Sequence, residues 1–195
     1  ANEGVDIVTG ADVSGIDARG GTIAGVRTSK GEFRAKEYAL SGGAWSENLV
    51  RSLGLKLPIQ PAKGYSITFD RTPDMFSTPM ILVERKVAIT PLGDKVRYGG
   101  TLELAGFDLS INMRRVRAIA SAVPAYLENV RVPAFSEPDV WSGLRPCSPD
   151  GLPYIGRTMK YSNLVTAAGH AMLGMSLAPV SGRLVSEIVT GATPS

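Results

Sequence analysis

The order of apolar and polar positions divides the chain into a strand-rich beginning, a strand-rich middle with one long helix, and a strand–loop–helix ending. Alternation at Val5–Thr9, Ala11–Asp17 and Thr22–Thr28, broken by Gly and polar residues, predicts three β-strands, and "SKGEF" predicts a turn into a fourth at Phe33–Lys36. "YALSGGAWSENLVRSLG" reads as a short apolar strand running through Gly42 and Gly43 into a helix that Gly54 ends. From Leu57 the segments "LPIQPAKGYSITFD" and "PMILVERKVAITPLGDKVRYGGTLEL" predict antiparallel strands, with "LGDK" as a hairpin turn. Ile111, Val116, Ile119, Ala120 and Val123 fall on one helical face, which Pro124 should kink or end early. A strand through Val140 and Trp141 follows. At the end come a buried strand at Leu164–Ala168, a Gly-rich loop at Gly169–Met175, and a helix from about Ser176 to Thr190. Its expected buried stripe is Leu184, Val185, Ile188 and Val189, with Pro179 in the first turn.

Composition narrows the chemistry. In 195 residues, 44% hydrophobic and 20% charged, the net charge is only +3. Arg114, Arg115 and Arg117 are the densest basic group, and they read as a solvated helix face rather than a nucleic-acid surface. One cysteine (Cys147) and one histidine (His170) exclude a disulfide framework and argue against zinc binding and against Ser-His or Cys-His hydrolysis. A single free cysteine fits a reducing compartment. No signal peptide and no apolar run of about 18 residues is present.

Three places could carry chemistry. "GHAMLGMS" has the glycine spacing of a phosphate-binding loop, but Met175 stands where the lysine should be, so nucleotide-triphosphate chemistry is rejected. What remains is a run of backbone N–H groups feeding a helix N-terminus, favourable to an anion or to the electron-rich edge of a reduced flavin. A plain strand-to-helix turn is the other reading. Arg145, between Leu144 and Pro146 in "WSGLRPCSPDGLPYIGR", presents a planar fork that matches a carboxylate, with Trp141 as an apolar wall. A structural ion pair, for example to Asp150, explains it equally well. Tyr65 in "KGYS" could add a hydroxyl or ring to a pocket or be a half-buried strand tyrosine. Lys63 reads as solvated, and His170 as either a loop contact or a satisfied structural imidazole.

Taken together, "WSGLRPCSPDGLPYIGR" and "NLVTAAGHAMLGMSLAPVSGRLVSEIVTG" resemble the C-terminal end of FAD-dependent amine oxidoreductases of the D-amino acid oxidase superfamily. "LPIQPAKGYSIT", "KVAITPLGDKVRYGGTLELAGFD" and "ALSGGAWSENLVRSLGLKLP" are still more similar to the small subunit of bacterial D-amino acid dehydrogenase, in the same order. The resemblance implies an α/β (α+β) fold. Residues 1–56 would be later strands of a partial, Rossmann-like FAD-binding domain. Residues 57–140 would form an antiparallel β-sheet substrate domain with a covering helix, and 141–195 the closing strand, flavin loop and C-terminal helix.

The resemblance also implies roles. Arg145 would bind the substrate carboxylate, with Tyr65 and Ala88 lining the pocket; glycine oxidases carry a tyrosine where Ala88 stands. FAD would be met by Val13, Gly42, Gly43, Ala44, Gly169, His170, Ala171, Met172, Leu173, Gly174 and Met175. The implied reaction takes a D-amino acid to its imino acid, and water then gives the 2-oxo acid and ammonia. A quinone or oxygen would reoxidise the flavin, in the cytoplasm or peripherally on the inner face of the bacterial membrane. Oxidation of glycine, sarcosine or a D-proline-type secondary amino acid is the alternative within the class, and a non-catalytic binding or assembly module the alternative outside it. One departure stands out: the glycine fingerprint GxGxxG, which holds the pyrophosphate, occurs nowhere in the chain. The chain is therefore expected to be a C-terminal portion that holds FAD weakly or not at all by itself.

Overall fold

The computed structural model describes residues 4–72, 75–128 and 130–193. The chain divides into two compact units, Ala1–Gln60 with Pro146–Ser195, and Pro61–Arg145. The first residues of the opening segment, 1–3, lie outside the described range.

In the first unit, β1 (Val13–Arg19), β2 (Thr22–Thr28) and β3 (Gly31–Phe33) form an antiparallel sheet. The expected strand at Val5–Thr9 does not form: the segment is exposed and joins no sheet among the described residues, and the Thr9 carbonyl accepts from Lys30 Nζ at 2.6 Å rather than from a neighbouring strand. The expected Phe33–Lys36 strand starts earlier and stops at Phe33. A second sheet has the order β10 (Tyr154–Arg157), β11 (Leu164–Ala168), β4 (Tyr38–Leu40). β11 runs parallel to β4 and antiparallel to β10. Parallel partners so far apart in sequence need a long crossover, and here that crossover contains the entire second unit. After β4 a single 3-10 turn, Gly43–Trp45, leads into α1 (Ser46–Arg51). Gly54 ends it at φ +69°, its N–H meeting the Arg51 carbonyl while that of Leu55 meets Val50. Ile23, Leu40, Val50, Leu53, Leu57, Ile59, Tyr161 and Leu164 make the core of this unit.

The closing helix, α3 (Gly174–Thr190), packs on β10 and β11. It begins two residues before the expected start, so Pro179 lies inside the helix rather than in its first turn. Its expected buried stripe is only half-buried; Ser181 is the one helix residue that is fully buried.

The second unit is a five-stranded sheet of order β6 (Met80–Leu82), β7 (Val87–Leu92), β8 (Lys95–Glu103), β5 (Gln60–Asp70), β9 (Val140–Cys147). The β7–β8 hairpin turns at Gly93, φ +65°, as "LGDK" predicts. α2 (Met113–Tyr126) covers one face, burying Val116, Ile119, Ala120, Ala122 and Val123 against a core of Tyr65, Ile67, Phe69, Val87, Ile89, Val96 and Tyr98. Asn112 caps α2 by accepting from the Arg114 N–H, and Pro124 sits in the last turn, two residues before the helix stops. Arg114, Arg115 and Arg117 face solvent. No helix among the described residues is long and apolar enough to cross a membrane.

Candidate functional site

In the second unit, side-chain alternation along the central strands separates two faces. Lys63, Tyr65, Ile67 and Phe69 of β5 point to the α2 side, so Gly64 and Ser66 belong to the other. Arg145 on β9 belongs to that second face: a Cβ built at Gly64 would fall within its guanidinium. The side chain crosses β5 where no Cβ obstructs it, and Nη1 donates to the Thr101 carbonyl on β8 at 3.3 Å. None of the ion pairs among the described residues involves Arg145. Asp150, the candidate structural partner, instead accepts from the Leu152 N–H at 3.0 Å. Trp141 and Gly143 share the strand parity of Arg145, and the indole lies over Gly143, with most of its surface exposed.

The pairing register places Ala88 in a cross-strand row with Gly99 and Ser66, and Ile81 at its end. Beside Arg145, then, this face has small residues and little side-chain bulk. Gly64, Ser66, Gly99 and Thr101 were not singled out from the sequence; "KGYS" and "YGGT" contain them, but only the register shows which way they face.

Tyr65 does not line that face. It is 1% exposed in the core beneath α2, its hydroxyl donating to Glu103 Oε2 at 2.8 Å and accepting from the Asn112 N–H at 3.3 Å. The expectation of a solvated Lys63 is overturned in the same place. At 1% exposure, its Nζ donates to the Ser110 carbonyl at 2.8 Å and lies 3.2 Å from Asp108 Oδ2 and 4.0 Å from Glu103 Oε1. A buried ammonium persists only where such partners replace its water. Burial works to lower its pKa, but hydrogen bonding to Asp108 and Tyr65 and the Glu103 charge outweigh it and raise the value. Asp108 is held down at about 2, first by the Ser110 hydroxyl and N–H and then by Lys63.

In the first unit the glycine loop is held at both ends. Gly169, at φ +87°, packs against the Tyr154 ring where a Cβ would crowd it. His170 bridges to Cys147, the Ala171 N–H donates to the Pro146 carbonyl at 2.9 Å, and the Leu173 N–H to His170 at 2.9 Å. His170 Nε2 lies 2.9 Å from the buried Ser181 Oγ, so its ring ties the loop to α3. Ala171, at φ +48°, is one of three non-glycine residues with positive φ among the described residues. Met172, Leu173 and Met175 are exposed, Met175 to 91%.

No side chain caps α3, and its first turn has no acidic residue. A partly positive helix end flanked by exposed apolar side chains suits a flat aromatic ring with an electron-rich edge, so these residues fit a flavin. Of the other candidates, Gly43 is at φ +54° with open space where a Cβ would be, and Gly42 is needed for the close approach of Leu49. Ala44 is buried, backbone included, and Val13 is exposed at the start of β1.

The chain is 40% identical over 202 residues to a D-amino acid dehydrogenase of Methylobacterium sp. (strain 4-46), covering 100% of this chain and 46% of that protein. A D-amino acid dehydrogenase of Xanthobacter autotrophicus is 40% identical over 200 residues, with 100% and 46% covered. The chain thus spans about half the length of the relatives it matches. Glycine oxidase from Geobacillus kaustophilus superposes with a TM-score of 0.81 at 26% identity over 94% of this chain and 49% of that one. For glycine oxidase from Bacillus cereus the values are 0.79, 25%, 95% and 51%. The family described as DAO, FAD dependent oxidoreductase, matches residues 1–188. With a mixed α/β fold shared with FAD-dependent oxidases, the chain belongs to this DAO family of FAD-dependent oxidoreductases.

Proposed function

We propose that the chain is part of an enzyme that oxidises D-amino acids to imino acids, which water hydrolyses to 2-oxo acids and ammonia. The observation that carries this reading is the guanidinium of Arg145, half-buried, without a carboxylate partner among the described residues, and held on a face of small residues. A planar cation so placed suits a substrate carboxylate and fixes the orientation of the attached Cα, which is most of what hydride transfer asks of a protein. The names of the relatives and the family's cofactor agree with that use.

Flavin, when bound at the start of α3, would supply a hydride acceptor with an electron-rich pyrimidine edge. The chain's own residues bind and orient. Arg145 holds the carboxylate; the N–H groups at the start of α3 favour the charge that develops beside them; Met172, Leu173 and Met175 give an apolar surface that excludes water. No protein base at Cα is called for when carbon gives up hydrogen as hydride, in keeping with a single histidine whose ring nitrogen is engaged by Ser181.

Ala88 and Gly99 leave room for a substrate side chain, which supports D-amino acids over glycine or sarcosine. Membership in an oxidoreductase family supports an enzyme over a non-catalytic module. The dehydrogenase name of the relatives supports an acceptor such as a quinone over oxygen; the whole protein would then work in the cytoplasm or peripherally at the inner face of the bacterial membrane, where a quinone is met. The test is a panel of D- and L-amino acids, glycine, sarcosine and D-proline offered to full-length, flavin-loaded protein with an artificial electron acceptor. Turnover confined to D-amino acids is expected; turnover of glycine and sarcosine alone would replace this reading.

A further inference from the structure

The partner that Arg145 uses on β8 is not ordinary strand backbone. Lys63 pairs with Glu103 and Tyr65 with Gly100, so Gly64 alone faces both Thr101 and Leu102. That is a β-bulge, and Thr101 within it holds φ +69°, a left-handed conformation that a β-branched residue rarely adopts. The extra residue interrupts the β5–β8 register at this point, and Arg145 Nη1 donates to the Thr101 carbonyl at 3.3 Å. Opposite the bulge, the strand offers a glycine whose missing Cβ is the space the guanidinium occupies. Gly64 is not there for its backbone freedom, since its φ lies outside the left-handed region. Thr101 O is the only acceptor Arg145 finds among the described residues, which leaves most of its five N–H donors for a ligand. Backbone strain of this kind persists where the surroundings over-determine it, and such places cluster at functional sites.

We propose that Gly64 and the Thr101 bulge form a positioning device for Arg145: the glycine opens the lane across β5, and the Thr101 carbonyl fixes the end of the fork. Both are positioning residues, since neither need touch substrate. The proposal rests on Arg145 being the carboxylate ligand.

The experiment uses full-length, flavin-loaded protein carrying Arg145→Ala, Gly64→Ala, or both. Each is assayed with D-alanine, or with whichever member of a D-amino-acid panel turns over fastest. Arg145→Ala should raise KM a hundredfold or more. Gly64→Ala should raise KM at least tenfold, with flavin absorbance intact and kcat changed much less, because the new methyl displaces the far end of a flexible side chain and not backbone. The double variant should match Arg145→Ala, since the atoms nearest a Cβ at 64 all belong to Arg145. Ethylguanidinium should lower the KM of Arg145→Ala by threefold or more and leave the double variant unchanged.

Should Gly64→Ala fail to fold, the double variant must fold, because the clash has gone; failure of both overturns the proposal. A Gly64→Ala protein with KM within twofold of the parent, beside an impaired Arg145→Ala, overturns the positioning role and leaves the carboxylate role standing. An unchanged KM in Arg145→Ala removes the carboxylate role, and the proposal falls with it.

Discussion

Lys63 Nζ lies 3.2 Å from Asp108 Oδ2 across 45 residues of sequence, and the ammonium is buried while the carboxylate keeps about half its exposure. Arg115 Nε lies 3.2 Å from Glu103 Oε2, the oxygen that accepts from Tyr65, so β5, β8 and the N-terminus of α2 share one polar network. Removing the ammonium would leave Glu103 and Asp108 without their buried counter-charge. Lys63→Met should therefore destabilise the protein by about 2–4 kcal/mol, below the full effect of breaking a wholly buried pair because Asp108 reaches solvent. Urea unfolding of both proteins at pH 7 measures it, and a variant as stable as the parent would show that the network contributes nothing.

The same network sets a pH dependence. Asp108 is held at about 2 against an ordinary 3.8, so the folded state prefers its ionised form. Its contribution is present above about pH 4 and is lost as the pH falls toward 2. Lys63 is raised above 10.5, so its contribution is present below that value and is lost as the pH climbs through the raised one. Unfolding free energy followed from pH 5 to 2 should fall less steeply in Asp108→Asn than in the parent. Parallel curves would mean that another carboxylate governs the acid limb.

These two residues also mark where sequence reading stops. β2, β11 and the Leu92–Lys95 turn were legible because alternation and turn chemistry are local, and the apolar stripe of α2 because its period is local too. The partners of Lys63 are not local, and a lysine in a polar-looking "AKGYS" gives no sign of them. The bulge at Thr101 is a property of two paired strands, invisible in either one. β10 was missed because four residues, "YIGR", carry too little alternation, and Val5–Thr9 was over-read because a pattern without a partner makes no strand. Arg145 was legible as a candidate only; its neighbours left an ion pair to Asp150 equally open until the structure gave Asp150 another contact.

Ser181→Ala should loosen the glycine loop. It removes the partner 2.9 Å from His170 Nε2 while leaving the Ala171-to-Pro146 and Leu173-to-His170 backbone bonds in place. A loss of about 1 kcal/mol in stability is expected, the usual net worth of one hydrogen bond. Amide exchange at Ala171 and Leu173 should quicken. Unaltered exchange there would show that the backbone bonds alone hold the loop.

Ala88 offers a test of the pocket wall. Its row continues through Gly99 to Ser66, so a large side chain at 88 would project over that row on the Arg145 face. Ala88→Phe should lower kcat/KM for a bulky D-amino acid such as D-phenylalanine at least about tenfold more than for D-alanine. Equal losses for the two substrates would put Ala88 outside the side-chain pocket.

Cofactor affinity separates what this chain supplies from what it lacks. Its side of a flavin would be the end of α3, the exposed Met172, Leu173 and Met175, and the open turn at Gly43. A helix terminus contributes about 0.3–1 kcal/mol toward a surface anion, far short of the roughly 8 kcal/mol that a micromolar Kd requires. The glycine fingerprint that brings backbone N–H groups onto a pyrophosphate is absent from these 195 residues. Titration of the chain with FAD, followed by flavin fluorescence, should therefore show no saturation in the micromolar range. Tight binding would mean that the loop and the Gly43 turn hold the isoalloxazine far more strongly than a dipole and three apolar side chains can, and would move the source of flavin affinity into this chain.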